Sequence, residues 1–440
     1  MTGLPGLVDG RLRDLAPLHA GRLARALKML NAQGEEARLV GGAVRDLVLG
    51  HPPGDFDVAT TATPDVVMER ARAAGMGVSP TGIAHGTVTL IVDGQPIETT
   101  TLRQDVATDG RHALVAFGRD FSADARRRDF TMNALSASPD GAVHDYVGGL
   151  PDLAERRVRF IGDARQRIRE DFLRSLRFFR FSARYGDGQL DAEGFRAAIQ
   201  ERAGLRHLSR ERVRAELMKL LAAPRAREVA AQLCDTGLLA ELLAGATDAG
   251  RFQRAVDVEA LRGSAPDPLL RLAALTLRIT EDAERLAERL RLSNAEAARL
   301  ERAAATLETL HGLAEAPPLS ELQASLFQRG RVAALDALTL AHADAGLGRD
   351  RRNFLSAYKF LAEAPDIALP FTGADIVARG VAPGKKVGAI LKRLQALWIR
   401  AGFPKEPERL ARLLDEAMEG PGQRSHDLGP KNGDSGNALP

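Results

Sequence analysis

The chain has 440 residues, 45% apolar and 5% aromatic, with one cysteine and a net charge of +3. That length exceeds one ordinary core and implies two to four domains, and the lone Cys234 excludes an internal disulfide framework. No run of about 18 apolar residues marks a membrane span, and the start carries no charged-then-apolar leader pattern, so the composition reads as a soluble cytoplasmic protein.

In chain order, an amphipathic helix is expected from Leu12 to Asn31, with Leu15, Leu18, Leu23, Leu27 and Leu30 as its apolar set. "EARLVGG" reads as a strand ending in a glycine turn, and "AVRDLVLG" as a helix stopped by Gly50 and Pro52–Pro53. "DFDVATT" is a strand and "PDVVMERARAAG" a helix opened by Pro64. "GTVTLIVDGQPIETTTLR" alternates around Asp93–Gly94, which predicts a β-hairpin. The segment Gln104 to Arg119 has the character of a polar loop, and "DFTMNALSASPDGAVHDYVGG" returns as a strand pair around "PDG". From about Arg165 onward, nearly everything reads as helix. The class is therefore α+β, a mixed head followed by a long helical arm. The last twenty residues, "PGQRSHDLGPKNGDSGNALP", lack apolar content and are expected to be disordered.

Chemistry concentrates in "LVGGAVRDLVLGHPPGDFDVATTATP", Leu39 to Pro64. Alternation along a strand puts Asp55 and Asp57 on one face and turns Phe56 inward. Two neighbouring carboxylates repel unless a cation lies between them, and hard oxygen donors favour Mg²⁺. Glu98, on the hairpin expected alongside, is the candidate third carboxylate. Gly41 and Gly42 sit where a strand turns into a helix, so their N–H groups can approach phosphate oxygens, with Arg45 one turn further on. A D-x-D alone is common, and neither of the two commonest nucleotide motifs is present. Between Arg156 and Arg184 there are ten arginines and only three acids. A solvated helix face and a polyanion-facing patch both fit that run.

The ordered set resembles the class II tRNA nucleotidyltransferase and bacterial poly(A) polymerase family. The opening stretch looks like its first signature. "RRRDFTMNAL", "DYVGGLPDL", "EDFLRSLRFFRFSARYG" and "SRERVRAELMKLL" follow in the family's order, to about Leu221. The resemblance implies a polymerase-beta-like head at 1–150, a neck at 151–222, a helical body at 223–345, a tRNA-binding tail at 346–420 and a disordered end at 421–440. Asp55 and Asp57 would bind catalytic Mg²⁺, with Glu98 as the third acid. Gly41, Gly42 and Arg45 would hold the triphosphate. Arg128 would contact the nucleotide, with Asp129 and Asn133 near the ribose.

In the fourth motif, Asp171 and Arg174 fall one turn apart on one face of a helix. They read either as a surface ion pair or as a protein template for cytosine and adenine, Asp accepting from the amino group and Arg donating to the ring nitrogen. The resemblance favours the template, assisted by Arg177 and Arg180. Phe172, Leu176 and Phe179 read as core. Asp152 reads as part of a structural joint, and Ser209, Glu211 and Arg212 as a capped supporting helix. "GVAPGKKVGAILKRL" reads equally as an RNA-phosphate clasp or an ordinary helix start. The scattered histidines, His342 included, suggest no zinc site. The implied reaction is addition of CCA to the tRNA 3′ end from CTP and ATP. The alternatives are poly(A) addition, partial CC or A addition, and a non-catalytic RNA binder. No membrane partner is expected, and the oligomeric state is left open.

Overall fold

The structure is a computed structural model and describes residues 3–106, 114–348 and 350–419. The tail expected to be disordered, and residues 107–113 of the expected loop, lie outside the described residues.

The chain opens with a small hairpin, β1 (Leu7–Val8) against β2 (Arg11–Leu12), turned by Asp9 and Gly10 at φ 48° and 77°. Two helices follow, α1 (Ala16–His19) and α2 (Gly21–Leu30). The expected helix from Leu12 to Asn31 is thus interrupted. Ala20 is extended and Gly21 has φ 71°, a conformation that glycine adopts without the cost of a Cβ. The apolar spacing still did its work, because Leu18, Leu23, Leu27 and Leu30 are buried.

Then come β3 (Ala37–Val40), α3 (Gly42–Val48), β4 (Asp57–Thr60), α4 (Pro64–Ala73), β5 (Gly77–Gly82), β6 (Thr87–Val92) and β7 (Gln95–Thr101). The β6–β7 turn uses Asp93 and Gly94 at φ 53° and 72°, the left-handed pair that a two-residue hairpin favours. Next, β8 (Arg103–Val106) pairs with β9 (Leu114–Phe117) as a separate hairpin. The expected Gln104–Arg119 loop is therefore strand at both ends. Its polar, glycine-bearing middle hid two short flanks. After α5 (Phe121–Arg127), β10 (Ser136–Ala137) and β11 (Val143–His144) complete the head. The main sheet has the order β11-β10-β3-β4-β7-β6-β5, and β4–β7 is its parallel pair.

The head meets the helical arm through α6 (Gly149–Ala154), α7 (Ala164–Glu170), α8 (Leu173–Tyr185), α9 (Ala192–Gln200) and α10 (Arg210–Leu221). The fourth motif is not one continuous helix. Asp171 is extended (φ −154°, ψ 106°) and separates α7 from α8. Further helices run from Ala226–Asp235 to Pro407–Glu419. One apolar core is continuous from Leu12 to Ala343, and a separate small cluster around Ile376, Ile390 and Leu394 packs the far end.

At the joint, Phe130 bridges to Phe160 and contacts the α8 rings Phe178 and Phe181, with centroids 4.8, 6.4 and 5.3 Å away. Phe130 is fully buried. Phe130→Ala should therefore cost about 3–5 kcal/mol through lost burial and the cavity left behind. A lowered denaturant midpoint checks this.

Candidate active site

The acidic side of the site is set by sheet register. Asp57 starts β4, and the parallel pairing puts Glu98 of β7 opposite it. Their chain neighbours Val58 and Thr99 are buried, so the two acids share the outer face. The Asp57 carboxyl is pushed up to about 6, first by surrounding protein mass, then by the charge of Glu98 and to a lesser degree Asp55, against Arg128. Asp57 is nonetheless exposed by surface area. Crowding is therefore partial, and the anionic neighbours are the firmer cause.

Asp55 departs from expectation. It lies in an exposed bend before the strand, so strand alternation does not align it with Asp57. Phe56 between them is half-buried against the core, with Arg22 5.1 Å over its ring. Among the described residues, no three acid, histidine or cysteine side chains converge as a ready-made metal cage. Asp57 and Glu98 still offer paired oxygens whose repulsion Arg128 offsets only in part, a donor set that fits a hard divalent cation completed by water and phosphate.

The basic side faces Asp57 across a cavity of about 510 Å³. From the head come Gly41, Gly42, Arg45, Asp57, Arg128, Asp129 and Asn133. From the helical arm come Asp171, Arg174, Arg177 and Arg180. Glu98 lines an adjoining cavity of about 470 Å³ that shares Asp57 and Arg128 with the first. Asp55 lines neither. Three further residues edge the main cavity, Leu173, Phe181 and Arg212. Sequence reasoning gave Arg212 only a supporting role. Its place in the fifth motif was the signal available.

Every arginine at this cavity is matched by a carboxylate. The pairs are Arg45–Asp46, Arg128–Asp124 and Arg174–Glu170 at 2.9, 3.2 and 2.6 Å. Arg177–Asp129, Arg180–Glu216 and Arg212–Asp171 lie at 2.6, 2.5 and 2.8 Å. The members of the arginine-rich run that reach this cavity, Arg174, Arg177 and Arg180, are thus neither bare nor unneutralised. They are guanidiniums held in fixed poses.

The poses interlock. Arg177 donates from Nε and Nη2 to Asp129 Oδ2, at 2.8 and 2.6 Å. Asp129 Oδ1 accepts from the Phe130 N–H and from Asn133 Nδ2. Asn133 Oδ1 accepts from Arg45 Nη1 at 2.7 Å, and Arg45 Nη2 donates to the Tyr185 hydroxyl at 2.5 Å. Tyr185 also stacks under the Arg45 guanidinium at 4.0 Å.

Three expectations change accordingly. The Gly41 N–H donates to the Leu135 carbonyl and is not offered to a ligand. Gly41 matters for another reason, because it has φ 74° and a Cβ there would meet Arg128 Nη1 at 2.9 Å. Arg45 is buried and engaged internally rather than reaching out freely. Asp171 and Arg174 do not share a helix face, since Asp171 is extended. Asp171 accepts from the Leu173 N–H and from Arg212, while Arg174 donates to Glu170 and to the Arg167 carbonyl. Both still edge the same cavity.

The remaining motifs are structural in their contacts. Asp152 is buried and accepts from the Thr131 hydroxyl at 2.5 Å and from Arg159 Nε at 3.0 Å. Ser209 caps α10 by accepting from the Arg212 N–H. Leu176 and Phe179 are buried and Phe172 packs against the core. His342 is buried and stacked 4.0 Å from Phe354.

Comparison with known proteins gives concordant matches. Residues 37–159 match the family described as "Poly A polymerase head domain", and residues 190–249 match "Probable RNA and SrmB- binding site of polymerase A". The chain is 33% identical over 386 residues to the mitochondrial CCA tRNA nucleotidyltransferase 1 of Mus musculus, covering 86% of each. It is 32% identical over 402 residues to the CCA-adding enzyme of Levilactobacillus brevis, covering 88% of this chain and 96% of the other. The crystal structure of the Bacillus stearothermophilus CCA-adding enzyme in complex with CTP superposes with a TM-score of 0.66 at 28% identity, covering 90% of this chain and 96% of that one. The family resemblance carried by the five motifs is borne out.

Removing Arg177 leaves the nearly buried Asp129 carboxylate without its charged partner. Arg177→Met should lower stability by about 3–5 kcal/mol if the pair behaves as buried, and by less in proportion to the partial exposure of Arg177. Denaturant unfolding at neutral pH measures the loss. A midpoint equal to that of the native protein would show that the pair is idle.

Proposed function

We infer the function of this chain from its family: it belongs to the CCA-adding tRNA nucleotidyltransferases. The chain adds nucleotides to the 3′ end of tRNA, building CCA from CTP and ATP with release of pyrophosphate. The observation that carries the residue assignments is the single cavity bounded by Asp57 of the head on one side and the α8 arginines on the other.

In this reading Asp57 and Glu98, with Asp55 at the approach, would hold Mg²⁺, the cation that suits their oxygens. When bound, that ion neutralises charge at the reacting phosphate and favours the deprotonated 3′-hydroxyl. The chain's own residues do the positioning. Arg128 and Arg177, already fixed by Asp124 and Asp129, present donors to the triphosphate. Arg45 braces Asn133 from below, and Asn133 and Asp129 lie at the ribose edge.

Asp171 and Arg174 act as the base template. Asp171 accepts from the exocyclic amino group of cytosine or adenine, and Arg174 donates to the ring nitrogen. Uracil and guanine carry a carbonyl where the amino group is needed, which leaves polar groups unpaired at about 1–3 kcal/mol each. Arg212 holds the second oxygen of Asp171 and thereby fixes the face it turns to the base. Arg180, held by Glu216, supports the same edge.

We further take residues 1–150 as the catalytic head, 151–222 as the neck, 223–345 as the body and 346–420 as a tail that grips the tRNA. No described helix is long and apolar enough to cross a membrane. The single cysteine fits a reducing compartment such as the cytoplasm.

One assay tests the reading. The protein is incubated with Mg²⁺, tRNA lacking its last three nucleotides, and CTP and ATP singly and together. Ordered growth to CCA is expected, whereas long A tails would mark a poly(A) polymerase. Asp57→Ala should abolish incorporation while tRNA still binds. Asp171→Ala should raise misincorporation of UTP and GTP relative to CTP by about tenfold or more. Unchanged discrimination would remove Asp171 from the template.

A further inference from the structure

The arginines of α8 do not stop at the nucleotide cavity. Arg184 follows Arg177 and Arg180 at helical spacing and lines a further cavity of about 360 Å³. There Arg184 meets Arg156, beyond α6, and Arg225, beyond α10, with His51 beside them. Tyr185 forms part of the wall, and its hydroxyl is the one that receives Arg45.

The electrostatics of this cavity are the reverse of its neighbour's. Around the nucleotide cavity each arginine has a carboxylate within 3.2 Å. Here no described carboxylate lines the wall. Among the described residues Arg156 and Arg184 form no ion pair, and Arg225 approaches Glu228 only at 3.8 Å. Arg156 also sits just past the end of α6 with φ 54°. Glycine or asparagine is the usual occupant of that left-handed position. Three exposed arginines from three separate segments therefore line one recess, and among the described residues only Arg225 has a carboxylate within 4 Å.

We propose that this recess is a second anion site that takes a phosphate group. Planar guanidinium forks match phosphate oxygens in geometry and charge. Arginines so weakly paired within the chain leave room for an anion from outside. The chemistry is shared by two sources, a free small phosphate such as pyrophosphate and a backbone phosphate of bound RNA. The site lies one side chain, Tyr185, away from Arg45 of the nucleotide cavity.

The test uses the full chain carrying Arg184→Gln together with Arg225→Gln. Pyrophosphate is titrated calorimetrically in the absence of divalent metal, with and without CTP. Binding of tRNA lacking its terminal CCA is followed across a range of salt. One of two losses is expected. If the source is a small phosphate, the pyrophosphate component that CTP does not displace weakens about tenfold, the loss of one or two charge-assisted contacts. If the source is RNA, the tRNA affinity falls and its salt dependence becomes shallower by about one or two counterions. In both cases the CTP-displaced component is unchanged, which confirms an intact fold. Unchanged binding of both probes overturns the proposal. Should the double variant not fold, Arg156→Gln, on a different segment, carries the same two readouts. The CTP control and the RNA arm rest on the nucleotidyl-transfer reading, whereas the loss of pyrophosphate binding stands without it.

Discussion

The salt bridge from Arg177 to Asp129 holds the site together. Asp129 belongs to the head and Arg177 to the first long helix of the arm. Around this pair the chain makes backbone bonds in both directions, from the Thr131 N–H to the Arg159 carbonyl and from the Ile161 N–H to the Asp129 carbonyl. The Phe130 cluster lies directly beneath. An ion pair alone gives modest stability. An ion pair set over a packed aromatic joint, with both Asp129 oxygens engaged, fixes an angle between two parts of the molecule. That angle determines whether acids on the sheet and arginines on α8 face a common space.

The charge balance in that space bears on how it binds an anion. Six arginines edge it, and each already has its carboxylate. Asp57 adds a further negative charge, strained by Glu98. By net charge the cavity therefore does not attract a triphosphate. It offers donors in prearranged directions, and it offers a pair of acids whose repulsion a divalent cation relieves. In the proposed reading, cation and triphosphate would complement the cavity together. This is the electrostatic logic of a metal-assisted phosphoryl transfer. The recess at Arg184 has the opposite character, cationic and lined by no described carboxylate.

Much of this was legible in the sequence because it rested on local rules. Alternation around Asp93–Gly94 gave the hairpin and placed Glu98 beside the D-x-D strand. Glycine and proline punctuation gave α3 and α4. Other features depended on context that no local window holds. The break at Ala20–Gly21 lies inside a regular leucine pattern, so periodicity ran straight through it. Asp171 sits in a sequence with strong helical spacing, yet it leaves the helix to receive the Leu173 N–H and Arg212. Arg212 comes from forty-one residues away, a separation that spacing arguments cannot bridge. The fate of Arg45 was hidden for the same reason. Its partners Asn133 and Tyr185 are distant in the chain, and an arginine after a glycine turn reads as a ligand contact until its hydrogen bonds are traced.

The central claim is that one nucleotide spans the joint, with its phosphates on the acidic edge of the head and its base on the neck. A crystal structure with CTP and Mn²⁺, read by anomalous scattering, tests it most directly. The account predicts a metal peak in direct contact with Asp57, the triphosphate between that peak and Arg128, and the cytosine edge against Asp171 and Arg174. A peak remote from Asp57, or a base lodged away from α8, would contradict it.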